Sequence, residues 1–461
     1  MTGGASGSGG TAASGGTVGS GGSGGGSGAG GSGAGGSSAG GATGTADAAD
    51  DSAAVDVDAN TSGTHDVGLA DVRSAAPEAA GTIDGGSNGQ GLTGFLHIKG
   101  NQLFDSQENL VRLTGVNWFG FETGNEAPHG TWARDYKSML KQIHDLGFNT
   151  VRLPWSNAIL RSGAAAQSVN TTGTDPYDGT NPMNGDLVGK TPMQMLDLVV
   201  TAAGQVGLKL ILDNHSRDPD KYLEEALWYT TSTSQAQWIA DWVTMATRYA
   251  GNPAVVGMDL DNEPHGKSTD RPPGASWGTG NSATDWNTAA ETCGNAILQV
   301  NPDVLIVVEG VEEVGTDVYW SGGNLTGVNT APIKLSNPQK LLYSAHEYGP
   351  EVFNQTWFSA ADFPSNLASI WNAHFDFIMK KKLGHVLIGE FGIRDRTDNS
   401  GEEGQWFDTL LTSLGSSYSW TFWCWNPDSG DTGGLLSDDW LTPVQWKMDA
   451  LKPYQAPALA K

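Results

Sequence analysis

Two glutamates are the residues of this chain best placed to do chemistry: Glu263 in MDLDNEPHG (258–266) and Glu390 in LIGEFG (387–392). Each closes an apolar run with a tight polar motif. A pair of carboxyl groups facing each other across a cleft suits glycosidic bond cleavage. One protonated acid assists the leaving oxygen, one ionised carboxylate stands on the other side of the anomeric carbon, and no metal or cofactor is required. The first motif also carries Asp259 and Asp261, so three acids fall within five residues. Asp259, deeper in its run, reads as structural, and so does Asp213.

Other polar residues recur in the same place, at the end of an apolar run. They are Arg152 and Trp155, then Asp213, Asn214 and His215, then Asn262 beside Glu263, Glu309, His346 and Tyr348, and finally Trp423 and Trp425. A cation such as Arg152 beside one glutamate would keep it ionised, while a less compensated partner holds its proton. Tryptophan is abundant, and Trp118, Trp155, Trp228, Trp320, Trp423, Trp425 and Trp440 fall at run ends or in connecting segments, where flat rings can stack on sugar faces. Trp238 and Trp242, on a helical stripe, read as core. Glu309, in VVEG, reads as a supporting carboxylate.

These residues need elements to bring them together. The apolar runs predict strands at 111–118, 149–155, 209–215, 255–264, 305–310, 341–349, 386–392 and 417–427, after a small hairpin within 95–113. Helical spacing fills the gaps, as in WARDYKSMLKQIHDLG, QMLDLVVTAAGQVG, QWIADWVTMATRYAG, WNTAAETCGNAILQVNP and QWFDTLLTSLGS. Eight strands alternating with helices predict a (β/α)8 TIM barrel. All strand ends of a parallel barrel open on one face, so polar residues far apart in sequence converge in one cleft.

Residues 1–93 read differently. Gly, Ser, Ala and Thr dominate and then give way to an acidic stretch, and no Phe, Trp, Tyr or Cys occurs before Phe95. Such a segment cannot bury enough apolar surface to offset its ordering, so it reads as a disordered linker or tether, with residues 94–461 as one catalytic domain. The net charge of −26 argues against a nucleic-acid or anionic-membrane partner. No run of about 18 apolar residues suggests a membrane span. Cys293 and Cys424 leave the redox compartment undecided.

The runs LTGVNWFGFET, GFNTVRLPWSNAIL, ILDNH, DNEPHG, YSAHEYGP, LIGEFG and WTFWCWNPDSGDTGG, in this order, resemble the retaining glycoside hydrolases of family 5, closest to bacterial endo-β-1,4-glucanases. The resemblance runs from about residue 95 to 455. It implies that Glu263 is the general acid/base, that Glu390 is the nucleophile of a double displacement, and that Asn262 binds the sugar 2-hydroxyl. It further implies that Arg152 and Tyr348 hold the nucleophile, that His215 and His346 line the site, and that Trp425, with Trp118, contacts the sugar. The implied protein is a monomeric endoglucanase acting on β-glucan polysaccharide, extracellular or surface-tethered. The cysteines that close relatives carry in two loops are missing from FETGNEAPHG and DNHSRDPDKYLEEALWY. Asp261 stands where relatives often have a neutral or aromatic residue. Two residues before Glu263 on one strand, it would share a face with Glu263 and raise its pKa.

Alternatives remain at this stage. The same mechanism could act on mixed-linkage glucan, xyloglucan or mannan. A zinc site at His215 and His346 lacks the expected ligand spacing. A glycan-binding protein on a hydrolase scaffold would need a lost carboxylate or a blocked cleft, and both glutamates are present.

Overall fold

The computed structural model describes residues 94–163, 168–396 and 401–457. The expected tail at 1–93 lies outside them. Three short antiparallel strands come first, β1 (His97–Lys99), β2 (Gln102–Phe104) and β3 (Leu110–Val111). Eight strands then close a parallel barrel. In order around it these are β4 (Thr114–Asn117), β5 (Thr150–Ser156), β6 (Lys209–Ser216), β7 (Val255–Asp259), β8 (Leu305–Glu309), β11 (Leu341–His346), β12 (His385–Glu390) and β13 (Ser419–Phe422), which pairs back to β4. The gap in numbering is a small hairpin of β9 (Glu313–Val314) and β10 (Asp317–Val318), inserted after β8.

Helices cover the outside: α1 (Tyr136–Asp145), α2 (Pro192–Val206), α3 (Gln235–Arg248), α4 (Trp286–Val300), α5 (Leu367–Trp371), α6 (Phe377–Lys380), α7 (Glu402–Leu414) and α8 (Gln445–Leu451). Their starts follow local chemistry. Asp135 and Ser234 accept backbone N–H bonds at the heads of α1 and α3, and Thr191 and Gln194 form a reciprocal box at the head of α2, with Pro192 in its first turn. After β8 the hairpin and two 3₁₀ turns, at Thr326–Asn329 and Pro338–Lys340, take the place of a long helix. Among the described residues, no helix is long and apolar enough to cross a membrane.

The inside of the barrel has two levels, and the alternation of strand side chains dictates both. At the closed end, Leu96, Ile98, Leu103 and Leu113 of the N-terminal sheet region pack against Ile211, Val256, Leu305, Val307, Leu342 and Leu387 as one apolar cluster. Two positions further along β6, β8 and β11 the inward residues turn polar: Asp213, Glu309 and Ser344, with Arg152 and Asp259 at the same height. The outward residues of the strands, such as Trp155, Leu210 and Ile306, meet the helices, and Trp155 packs edge-on against Trp242 of α3 at 5.0 Å.

The strands are shorter than the apolar runs suggest. The strand expected at 255–264 ends at Asp259, that at 341–349 ends at His346, and that at 417–427 ends at Phe422. Beyond those points the chain turns over the barrel mouth. Glu263 takes a left-handed backbone with φ of 49°, which no strand residue adopts. Both cysteines are buried and free.

Candidate active site

Arg152 is the centre of the upper level. It is fully buried on β5, where only carboxylates and amides can satisfy its donors. Nε donates to Asp259 Oδ2 at 2.8 Å, and Nη1 donates to Glu390 Oε1 at 2.5 Å and Asn117 Oδ1 at 3.1 Å. Nη2 donates to Asn262 Oδ1 at 3.0 Å and Glu309 Oε1 at 2.9 Å, and lies 3.1 Å from Asp213 Oδ1. One guanidinium thus ties five strands or their loops to the glutamate at the end of β12.

The other oxygen of Glu390 accepts a hydrogen bond from the Tyr348 hydroxyl at 2.7 Å. Burial and the charge of Glu390 raise the phenol well above its ordinary range, so it remains a donor. Opposite stands Glu263, the more exposed of the two carboxyls, with His346 between them. The imidazole Nδ1 is 2.9 Å from Glu263 Oε1 and 3.6 Å from Glu390 Oε2. One oxygen of each glutamate and a ring nitrogen of His346 all lie within 4.8 Å of one another. That separation fits direct attack by one carboxylate better than the wider gap needed to seat a water between the pair and the sugar.

Electrostatics inside this network do not follow the simple expectation. Burial raises the Glu263 carboxyl, but the hydrogen bond and charge of His346, with His265 and His215 further off, bring it below its usual value. His346 moves the opposite way. Burial works against its charge, yet Glu309, Glu390 and Glu263 together lift it well above an ordinary histidine. Burial raises the Glu309 carboxyl against the pull of His346, and pushes Asp259 up to about 6 against that of Arg152. His215, bonded through Nδ1 to Asp213 at 2.7 Å, is lifted to about 9 by that carboxylate despite its burial.

Asp261 pairs away from Glu263. With β7 ended at Asp259, Asp261 turns aside, fully buried, and pairs with Arg217 of the loop after β6. Arg217 is itself buried, 3.5 Å from Glu225, and its backbone N–H donates to the same Glu225 carboxylate at 2.5 Å.

Above these groups opens a cleft of about 790 Å³, lined by Glu263, Glu390, Asn262, His215 and Tyr348 and by a series of aromatic rings. Trp423 is the ring at its floor, near-parallel to His215 at 5.5 Å and to Phe119 at 5.7 Å. Three sequence expectations need correction here. Trp425 and Trp118 do not reach the cleft. Both are fully buried, Trp425 with its backbone N–H on Asn117 O at 2.8 Å and Trp118 with its indole N–H on His129 O at 3.0 Å. His346 has no exposed surface and lies beneath the two glutamates rather than along the cleft. The sequence reading also passed over Asn117, which braces Arg152 through Oδ1 and Gly389 O through its amide. Nothing in the sequence pattern separates Trp423 from Trp425, since the two share parity and both lie beyond the end of β13.

The fold and the carboxylate pair together define a barrel enzyme with a two-glutamate glycosidase-type site. The comparisons with known proteins agree. The family description "Cellulase (glycosyl hydrolase family 5)" matches residues 106–429. The chain is 43% identical over 373 residues to an endoglucanase of Paenibacillus polymyxa, covering 80% of this chain and 89% of that one. It is 41% identical over 358 residues to the major extracellular endoglucanase of Xanthomonas campestris pv. campestris, covering 76% and 69%. A cellotetraose complex of an endocellulase from Pyrococcus horikoshii superposes with a TM-score of 0.70 at 38% identity, covering 79% of this chain and 99% of that one. This chain belongs to glycosyl hydrolase family 5.

Proposed function

We infer that the protein is an endoglucanase that cleaves internal β-1,4-glucosidic bonds of cellulose or related β-glucans with retention of configuration. The observation that carries this reading is the close approach of Glu263 and Glu390, with oxygens within 4.8 Å, at the floor of an open cleft. In the first step Glu390 attacks the anomeric carbon while Glu263 gives its proton to the departing glycosidic oxygen. In the second, Glu263 takes a proton from water, and the resulting oxygen displaces Glu390 from the sugar. Atoms and charge balance across the two steps, and both carboxyls end as they began.

Arg152 and Tyr348 hold Glu390 from its two oxygens, which leaves the carboxylate one orientation. Because Arg152 can only donate, Asn262 offers it Oδ1, and the amide NH₂ is the end left to meet a sugar hydroxyl. Trp423, in place of Trp425, provides the platform under the sugar. Glu263 lies 2.9 Å from His346 Nδ1, and the histidine favours the ionised form of the carboxyl. A bound sugar deepens the burial of Glu263, already the strongest influence raising it, and moves the proton toward the carboxyl.

An extracellular location fits a polymeric substrate and the extracellular endoglucanase of Xanthomonas that the chain resembles. Residues 1–93 would serve as a tether, and 94–461 as a monomeric catalytic domain. The test is reducing-sugar release from carboxymethylcellulose, barley glucan and glucomannan, with viscosity followed in parallel. The wild type should release sugar while viscosity falls early, and Glu390→Ala should release none. Release from glucomannan alone would shift the substrate to mannan, and no release from any polymer would overturn the reading.

A further inference from the structure

We propose that Glu309 is the positioning residue for the acid/base carboxyl, fixing the left-handed turn from which Glu263 reaches the cleft. The proposal rests on the roles given above to Glu263 and Glu390. Glu309 ends β8, is fully buried, and is not among the residues lining the cleft. Its Oε2 accepts the backbone N–H of Glu263 at 2.8 Å. Its Oε1 accepts Arg152 Nη2 at 2.9 Å and lies 3.2 Å from His346 Nε2. The first contact holds the main chain of the acid. The others hold the two side chains that orient the nucleophile and the acid in turn.

Two features show that this contact is built in. Glu263 adopts a φ of 49°, where a side-chain-bearing residue is held only if its surroundings impose the turn. Its N–H lies four residues beyond the last residue of β7, so no ladder partner is available, and the Glu309 carboxylate accepts it instead. The site is also shaped by Gly322. A Cβ there would stand 2.4 Å from Glu309 Oε2 and 3.3 Å from the Glu263 Cα, so only glycine leaves the carboxylate room to reach that N–H. The backbone of Glu309 is itself fixed, because Trp286 Nε1 donates to its carbonyl at 2.9 Å.

A carboxylate can accept on both oxygens, whereas an amide accepts on one and donates from the other. Glu309→Gln keeps the size and sets one donor against another, either at Glu263 N–H or at Arg152. Gly322→Ala disturbs the same contact from outside. A misplaced acid matters only where the leaving group needs a proton, so leaving-group dependence separates loss of positioning from a general loss of structure. We therefore compare kcat/KM for cellotetraose and for 2,4-dinitrophenyl β-cellobioside, whose leaving group departs unassisted.

Both variants should lose about 100-fold on cellotetraose, the cost of roughly an ångström of misplacement, and stay within about threefold on the dinitrophenyl substrate, with melting curves that show a folded protein. Glu263→Ala serves as the reference and should show the same contrast more strongly. If Glu263→Ala lacks the contrast, the acid/base assignment itself falls. If Glu263→Ala shows it and the two variants lose both substrates equally, or lose neither, the positioning role of Glu309 is overturned while the assignment stands.

Discussion

Substituting Arg217 should unsettle this protein more than its distance from the chemistry suggests. Arg217 and Asp261 are a buried ion pair linking the loop after β6 to the loop after β7, in a chain whose corresponding loops have no cysteines. Burial pushes the Asp261 carboxyl up to about 7, and Arg217 is the largest influence holding it down. Arg217→Met removes that influence and strands a buried carboxyl. Breaking such a pair from one side costs about 3–5 kcal/mol. For a barrel of this size that corresponds to a fall in Tm of about 4–7 °C. Asp261→Asn is the milder change, because an amide oxygen still accepts from Arg217, and should cost about 1 kcal/mol or less.

The paired replacement Arg217→Met with Asp261→Leu should recover much of the loss, since two apolar groups need no partner. Thermal and urea unfolding of the three variants measure these costs, and the pH–rate profile of Asp261→Asn supplies the functional arm. That profile should match the wild type, because Asp261 faces Arg217 while Glu263 is set by burial and His346. A loss below about 1 kcal/mol for Arg217→Met would refute the ion-pair argument. A shifted profile for Asp261→Asn would restore Asp261 to the tuning of Glu263.

Tyr348→Phe removes one 2.7 Å bond to Glu390, worth about 1.5–3 kcal/mol as a charged hydrogen bond, so kcat/KM should fall about 10- to 150-fold with little change in Tm. Proton NMR during early hydrolysis of a cello-oligosaccharide should show the β-anomer appearing first, and an initial α-product would mean inversion. Acid should destabilise the fold through His385, which burial and then the nearby Arg112 lower from 6.5 to about 4. Between those values the unfolded chain binds a proton that the folded protein refuses, so stability falls as pH drops, by about 3 kcal/mol in all. In urea melts, the wild-type advantage over His385→Gln should shrink by that amount between pH 7 and pH 4.

The barrel was legible because parallel strands buried on both faces leave continuous apolar runs, and because shared strand direction places their ends on one side. That geometry brought His215, Asn262, Glu263, Tyr348 and Glu390 to one cleft, with Arg152 buried beneath against Glu390, from positions spread over 239 residues, Arg152 to Glu390 inclusive. Orientation past the strand ends was not legible. Period-two reasoning fails once the chain leaves the ladder, so Trp425 was placed where Trp423 lies, and Asp261 was placed beside Glu263 when it turns to Arg217. Nor does sequence separation show that Arg217 and Asp261, 44 residues apart, share a buried site. The hairpin after β8 escaped notice because two-residue strands carry too little pattern to read.

The upper level of the barrel interior has a consequence for anyone adapting this protein to heat. Arg152, Asp213, Asp259 and Glu309 form a charged level inside the barrel, and two residues lower on β6 and β8 the inward positions of Asp213 and Glu309 are filled by Ile211 and Val307. Replacing such charges as a set with well-packed apolar residues is often neutral or stabilising. A directed-evolution screen that rewards only thermal survival would therefore accept hydrophobic changes in this layer and select inert barrels. Libraries that hold these four positions constant, and vary the outer helices and the loops around Arg217, keep heat resistance and turnover from being traded against each other.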